Sequence, residues 1–182
     1  MRPVPDALLL DVASISATLL GLLVVAVFFY VETGLRRLDQ AHEVFAPYVR
    51  AAARLTMGLY LVALTTALAL VALEPGWARA IFGATGLAVL ASLVEFTRRA
   101  RATAKLMGTT SWSRLQEILV WACVTVALAL PWLLGVAVPD REDLTWGILL
   151  ALGLGLVSTL NMLLSVFDIA KFENAARTRH DE

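Results

Sequence analysis

One cysteine and two histidines in 182 residues leave little of the usual chemistry of a reactive site. Cys123 lies inside an apolar run, where it can neither pair within the chain nor help build a metal cluster, so it reads as a small packing residue. His42 and His180 both fall outside the hydrophobic stretches, which excludes a haem held between two imidazoles at membrane depth. His42-Glu43 is followed by alanine at position 46, so the two-histidine zinc protease pattern fails. No phosphate-binding loop is present. Gly153-Leu154-Gly155 sits in the middle of an apolar run with no strand before it, which makes it a packing feature and not a dinucleotide loop. No Ser/His/Asp or Cys/His set can gather at one depth, and no two aspartates share membrane depth. Function has to be argued from a site, and with none visible the expectation is a protein that is not an enzyme and holds no metal or cofactor.

Charge is the next scarcity. Only 16% of the residues are charged and 59% are hydrophobic, with a mean hydropathy of +0.77; soluble domains have roughly 25% charged and about 45–50% apolar residues. The formal net charge of zero removes any global field that would draw nucleic acid. What remains is a chain whose long uncharged runs suit the bilayer as solvent.

Five such runs predict an all-α integral membrane protein, a single membrane domain over 1–182 with spans at about 12–31, 55–73, 77–96, 118–138 and 144–167. A helix needs about 20 apolar residues to cross about 30 Å of hydrocarbon. The third run is the short one. Its uncharged part, 80–94, covers only about 22 Å; it crosses if it extends to 77–96, with Arg79 snorkelling outward and Glu95 at the inner headgroups. Glu74-Pro75-Gly76-Trp77 and Pro139-Asp140-Arg141-Glu142-Asp143 supply the breakers for two tight hairpins. Pro131 predicts a kink in the fourth span.

The arginines and lysines orient this bundle. Twelve basic residues lie in the segments 32–54, 97–117 and 168–182, and only Arg2, Arg79 and Arg141 lie on the other side. That alternation predicts an exterior N-terminus, two cytoplasmic loops and a cytoplasmic C-terminal tail. The first span is too long, and too basic after its end, for a cleaved signal peptide. Basic residues are 13 Arg to 2 Lys, a bias associated with GC-rich bacterial genomes, so the expected location is the plasma membrane of a prokaryote.

Three spans carry small residues four apart: Ala13, Ala17 and Gly21; Ala80, Ala84, Ala88 and Ser92; Gly147, Ala151, Gly155 and Thr159. Small ladders let helix backbones approach closely, which predicts that the first, third and fifth helices make the tight centre of the bundle or of an oligomer. The fifth span also carries a polar stripe, Ser158, Asn161, Ser165 and Asp168, and the first a sparser one with Ser14 and Thr18. These are read in two ways, as interhelical hydrogen bonds or as the lining of a hydrated path. Four acids, Glu32, Glu95, Glu117 and Asp168, collect at the inner boundary, each with a basic residue three or four positions away on its own helix; if the helices converge, they would ring a cytoplasmic mouth.

The cytoplasmic loops read as partly helical. In the first, Leu35, Leu38, Phe45, Tyr48 and Val49 recur at helical spacing, which predicts a segment lying along the membrane surface and broken by Pro47. In the second, Arg98, Arg99 and Arg101 set topology and can touch anionic headgroups, and Ser113 with Gln116 makes a capping box. Two functions from different classes follow. One is a membrane scaffold, assembly factor or partner subunit working through helix packing and cytoplasmic loops. The other is a homo-oligomeric ion channel or small transporter with a path lined by the first and fifth helices.

Overall fold

The computed structural model describes residues 4–37, 41–107, 111–135 and 138–180, with side-chain surroundings at 4–29, 50–99, 101, 119–135 and 138–162. Five helices account for nearly all of them: α1 (Asp6–Arg37), α2 (Ala41–Ala72), α3 (Pro75–Met107), α4 (Ser111–Leu134) and α5 (Arg141–His180). No strand occurs among the described residues.

Four helices contain segments long and apolar enough to cross a membrane: Asp6–Phe29, Arg50–Ala72, Pro75–Arg99 and Arg141–Met162. α4 supplies a shorter apolar segment, Leu119–Leu134. The third run, read as the short one, lies within a helix of 33 residues, and α4 itself has 24 residues. Pro75 opens α3 five residues before the uncharged run begins, and that adds more than a turn to the apolar segment. The surface is inverted relative to a soluble protein. Leu22, Phe28, Leu87, Leu133 and Leu160 are each about 60–73% exposed, a density of bare apolar side chains that only a lipid solvent tolerates. The protein is membrane-embedded.

The hairpins are built as their residues require. Pro75 occupies the first position of α3, where its missing N–H costs nothing, and the Glu74 carbonyl accepts from the amides of Trp77 (3.0 Å) and Ala78 (3.4 Å). At the head of α5 the Asp143 carboxylate accepts the Asp140 amide (3.0 Å), while the Asp140 carbonyl receives the Leu144 amide (3.0 Å). That is one half of a capping box followed by the first helical hydrogen bond, with Glu142 and Asp143 placing negative charge in the first turn.

Cross-links at the two ends fix direction. Arg141 of α5 pairs with Asp6 of α1, and Arg79 of α3 donates through Nε to the Pro139 carbonyl (2.8 Å) and faces Asp140 at 3.8 Å. The N-termini of α1, α3 and α5 thus share one end. At the other end Arg54 of α2 meets Glu95 of α3, and the Trp121 indole of α4 donates to the Thr97 hydroxyl of α3 (2.7 Å).

The central helix within the chain is α2, which corrects the expectation that the first, third and fifth form the centre of the bundle itself. Of its span, 56% is buried, against 22% for α1, 28% for α3 and 39% for α5; α1, α3 and α5 all pack on it, and α4 packs chiefly on α5. The small ladders explain the difference. Gly147, Ala151 and Gly155 of α5 are buried, whereas Ala17 and Gly21 of α1 and Ala80, Ala84 and Ala88 of α3 face outward. A small residue permits close approach but does not supply a partner.

The segments between spans also differ from expectation. α1 runs on to Arg37 and α2 starts at Ala41, so the predicted surface helix is instead two helical extensions of the spans. Pro47 lies within α2 without ending it, because a proline removes one backbone hydrogen bond and leaves the rest of a 32-residue helix intact. α3 likewise extends to Met107 and α5 to His180. α4 begins at Ser111, ahead of the predicted cap at Ser113, and the Ser113 and Gln116 side chains lie outside the described residues.

Candidate functional site

The polar contacts within the bundle concentrate where α5 lies against α2. Thr56 and Tyr60, both fully buried, stand one turn apart on α2. The Thr56 hydroxyl meets the Ser158 hydroxyl of α5 at 2.6 Å, and the Tyr60 hydroxyl meets that of Thr159 at 2.9 Å. Thr56 also donates to the Ala52 carbonyl and Thr159 to the Gly155 carbonyl, each at 2.9 Å, so in each pair the backbone carbonyl fixes which hydroxyl is left to donate across the interface. The ring of Tyr60 reaches Thr159 by lying over Gly155, whose missing side chain leaves the space: a Cβ there would fall 2.6 Å from Cε1 of Tyr60. Serine and glycine of α5 and threonine and tyrosine of α2 thus form one interlocked patch.

This patch absorbs part of the predicted stripe. Ser158 is in it, Asn161 stands on the exposed side of α5, and the side chains of Ser165 and Asp168 lie outside the described residues. On α1, Ser14 and Thr18 face outward, with the Thr18 hydroxyl donating to the Ser14 carbonyl at 2.9 Å. The hydroxyl of α1 that points inward is Ser16, fully buried and without a hydrogen-bond partner in the structure, as is that of Thr66 on α2. Residues two apart on a helix point about 200° apart, which is why a stripe through positions 14 and 18 misses position 16.

Of the four predicted inner-boundary acids, Glu95 is described and the side chains of Glu32, Glu117 and Asp168 are not. Glu95 was expected to pair along its own helix with Arg98 or Arg99. Arg54 of α2 also reaches it, donating to both carboxylate oxygens at 3.2 Å each. Both side chains are more than a third exposed, so the pair is held in a wet setting where screening is strong. Glu95→Gln should therefore lower stability by no more than about 1 kcal/mol, and the loss should vanish at high salt, as measured by denaturant unfolding at two ionic strengths. Arg98, Arg99 and Arg101 are all exposed at the same end of α3. An open cleft of about 390 Å³ lies there, lined by Ala91, Val94, Glu95, Arg98 and Arg99.

Three contacts could not be foreseen from spacing along a single helix: Tyr60 with Thr159, Trp121 with Thr97, and Arg141 with Asp6. Depth was the signal that could have found the first. In an antiparallel pair the residue numbers at one level sum to a constant, and Thr56 opposite Ser158 places Tyr60 level with Leu154, next to Gly155. No group of three His, Cys, Asp or Glu side chains positioned to hold a metal occurs among the described residues. Compared with protein families, curated proteins and solved structures, the chain matches none.

Proposed function

We propose that the chain is a non-enzymatic, multi-pass membrane scaffold or partner subunit, acting through helix packing and its cytoplasmic segments. It crosses the plasma membrane of a prokaryote five times, with the N-terminus outside and the C-terminus in the cytoplasm. The alternation of basic segments supports the orientation, and the shared end of α1, α3 and α5 supports an odd number of crossings. α4 counts among the crossings because it leads from the Trp121–Thr97 end to the Pro139 end.

The observation that carries the reading is the hydroxyl pairing of α5 with α2. A hydroxyl at 2.6 Å from its partner is satisfied without water, so the stripe acts as adhesive between helices, a contact of about 0.6–2 kcal/mol. A hydrated path needs those groups turned toward the lumen.

The homo-oligomeric channel keeps one observation in its favour. Ser14, Ala17, Thr18 and Gly21 make an outward small and polar strip on α1, with nothing within 4 Å of a Cβ at Gly21. A path including this strip requires a second copy. Single cysteines at Ser14, Ser158 and Asn161 on a Cys123→Ser background, probed with a small charged thiol reagent in membranes, separate the two readings. The scaffold reading expects protection at Ser158 and Ser14. Labelling at both, blocked by permeant ions, would establish the path and end the scaffold reading.

A further inference from the structure

The outward face of α3 is apolar along its length and cationic at one end. Ala84, Leu87, Ala91, Val94, Arg98 and Arg101 recur at alternating steps of three and four, and all six are exposed. This spacing keeps them on one side of the helix. The cleft of about 390 Å³ opens on this face where the apolar track meets the arginines. Its one acid, Glu95, is held by Arg54 from α2 through contacts of 3.2 Å to both oxygens. The carboxylate is thereby offset from behind, and with two arginines to one acid the lining of the cleft carries a formal excess of positive charge.

We propose that this cleft binds the phosphate headgroup of an anionic phospholipid, with an acyl chain lying along Val94, Ala91 and Leu87. The dimensions fit. Leu87 to Arg98 is eleven residues, about 16 Å of helix, and one leaflet contributes about half of a ~30 Å hydrocarbon core. Arginine matches a phosphate oxygen pair through two parallel N–H donors. Alanine at 84 and 91 leaves the width of a chain beside Leu87. A second copy of this protein is the poorer occupant: two-fold packing of α3 on α3 about the membrane normal would bring Arg98 and Arg101 of one copy against the same residues of the other. An anionic lipid supplies the opposite charge at the required depth, and basic residues beside a span attract such headgroups.

The test is native mass spectrometry of the full chain released from nanodiscs containing phosphatidylglycerol and phosphatidylcholine in equal amounts. The wild type should retain phosphatidylglycerol in preference. Neutralising both arginines in R98Q/R99Q should weaken phosphatidylglycerol binding about twenty-fivefold, roughly fivefold for each charge, and leave phosphatidylcholine unchanged. Ala91→Trp keeps every charge and fills the acyl track, and it should abolish the preference too. Should R98Q/R99Q fail to fold, Ala91→Trp decides alone. Excess inorganic phosphate should not displace the lipid, because the chain as well as the headgroup is held. An unchanged preference in either variant overturns the site. Displacement by phosphate, with Ala91→Trp harmless, would make it a simple anion site and overturn the lipid assignment.

Discussion

Gly155→Val should lower the stability of the bundle by about 1–3 kcal/mol, while Gly153→Val, two residues away on the same helix, should change it by less than about 0.5 kcal/mol. The two glycines differ only in what lies beside them. A Cβ at Gly153 meets nothing within 4 Å, whereas one at Gly155 would fall 2.6 Å from Cε1, 3.0 Å from Cδ1 and 3.1 Å from Cζ of Tyr60. Tyr60 is fully buried on the central helix, and its hydroxyl is tied to Thr159 at 2.9 Å, so the ring cannot swing aside without losing that bond and opening a void. A bulkier residue at 155 must therefore push α5 off α2, which also stretches the Thr56–Ser158 contact. Reversible unfolding in mixed detergent, followed by tryptophan emission, reads both variants. Tyr60→Leu in the Gly155→Val background should recover part of the loss. Equal losses at 153 and 155 would instead indict β-branched residues in α5 generally, and the close approach would carry no special weight.

The membrane class and most span positions were readable because the bilayer imposes a length and forbids charge, and both leave their mark residue by residue. Arg50, Arg54 and Glu74 bracket the second span as plainly as any loop could. The third span was underrated, since counting uncharged residues ignores where a helix starts: Pro75 gains α3 a full turn. The centre of the bundle was not readable. Hydrophobicity separates inside from outside only when the outside is water, and in lipid Leu59, fully buried, and Leu87, 69% exposed, are chemically alike. Small residues failed as a guide for the same reason, because Ala84 on α3 and Ala151 on α5 permit close approach equally and only one is approached. Of the candidate polar residues, Ser158 was found by periodicity but its partner was not, since spacing along α5 says nothing about the register of α2. Arg54 with Glu95 was missed likewise. An i,i+3 or i,i+4 neighbour always exists on a charged helix end, and the cross-helix partner is visible only once the helices are packed.

Gly147→Ala should cost about 1–3 kcal/mol in the wild type and markedly less in a Pro131→Ala background. Gly147 sits where α3, α4 and α5 converge; a Cβ there would lie 2.6 Å from Cγ of Pro131 and 3.0 Å from Cζ of Phe82. Phe82 is 1% exposed and Pro131 is among the most deeply buried side chains. The two obstacles are not equivalent. A proline ring is bonded to its own backbone nitrogen and cannot rotate away, so relief requires moving α4; the edge of a phenylalanine ring yields by a small change in its side-chain torsions. Replacing Pro131 by alanine removes the harder obstacle and restores an N–H to the last turn of α4, which offsets the packing lost with the ring. The double mutant should therefore be more stable than the sum of the single effects predicts, by roughly 0.5–3 kcal/mol of coupling. Strict additivity would show that the loss at Gly147 does not arise from Pro131, and that the fit of Pro131 against α5 plays no part in holding α4. Coupling, with a remainder that disappears in Gly147→Ala/Pro131→Ala/Phe82→Leu, would show that α4 is held at this end by a proline seated on a glycine, the means by which a helix with a missing backbone hydrogen bond keeps its place beside α5.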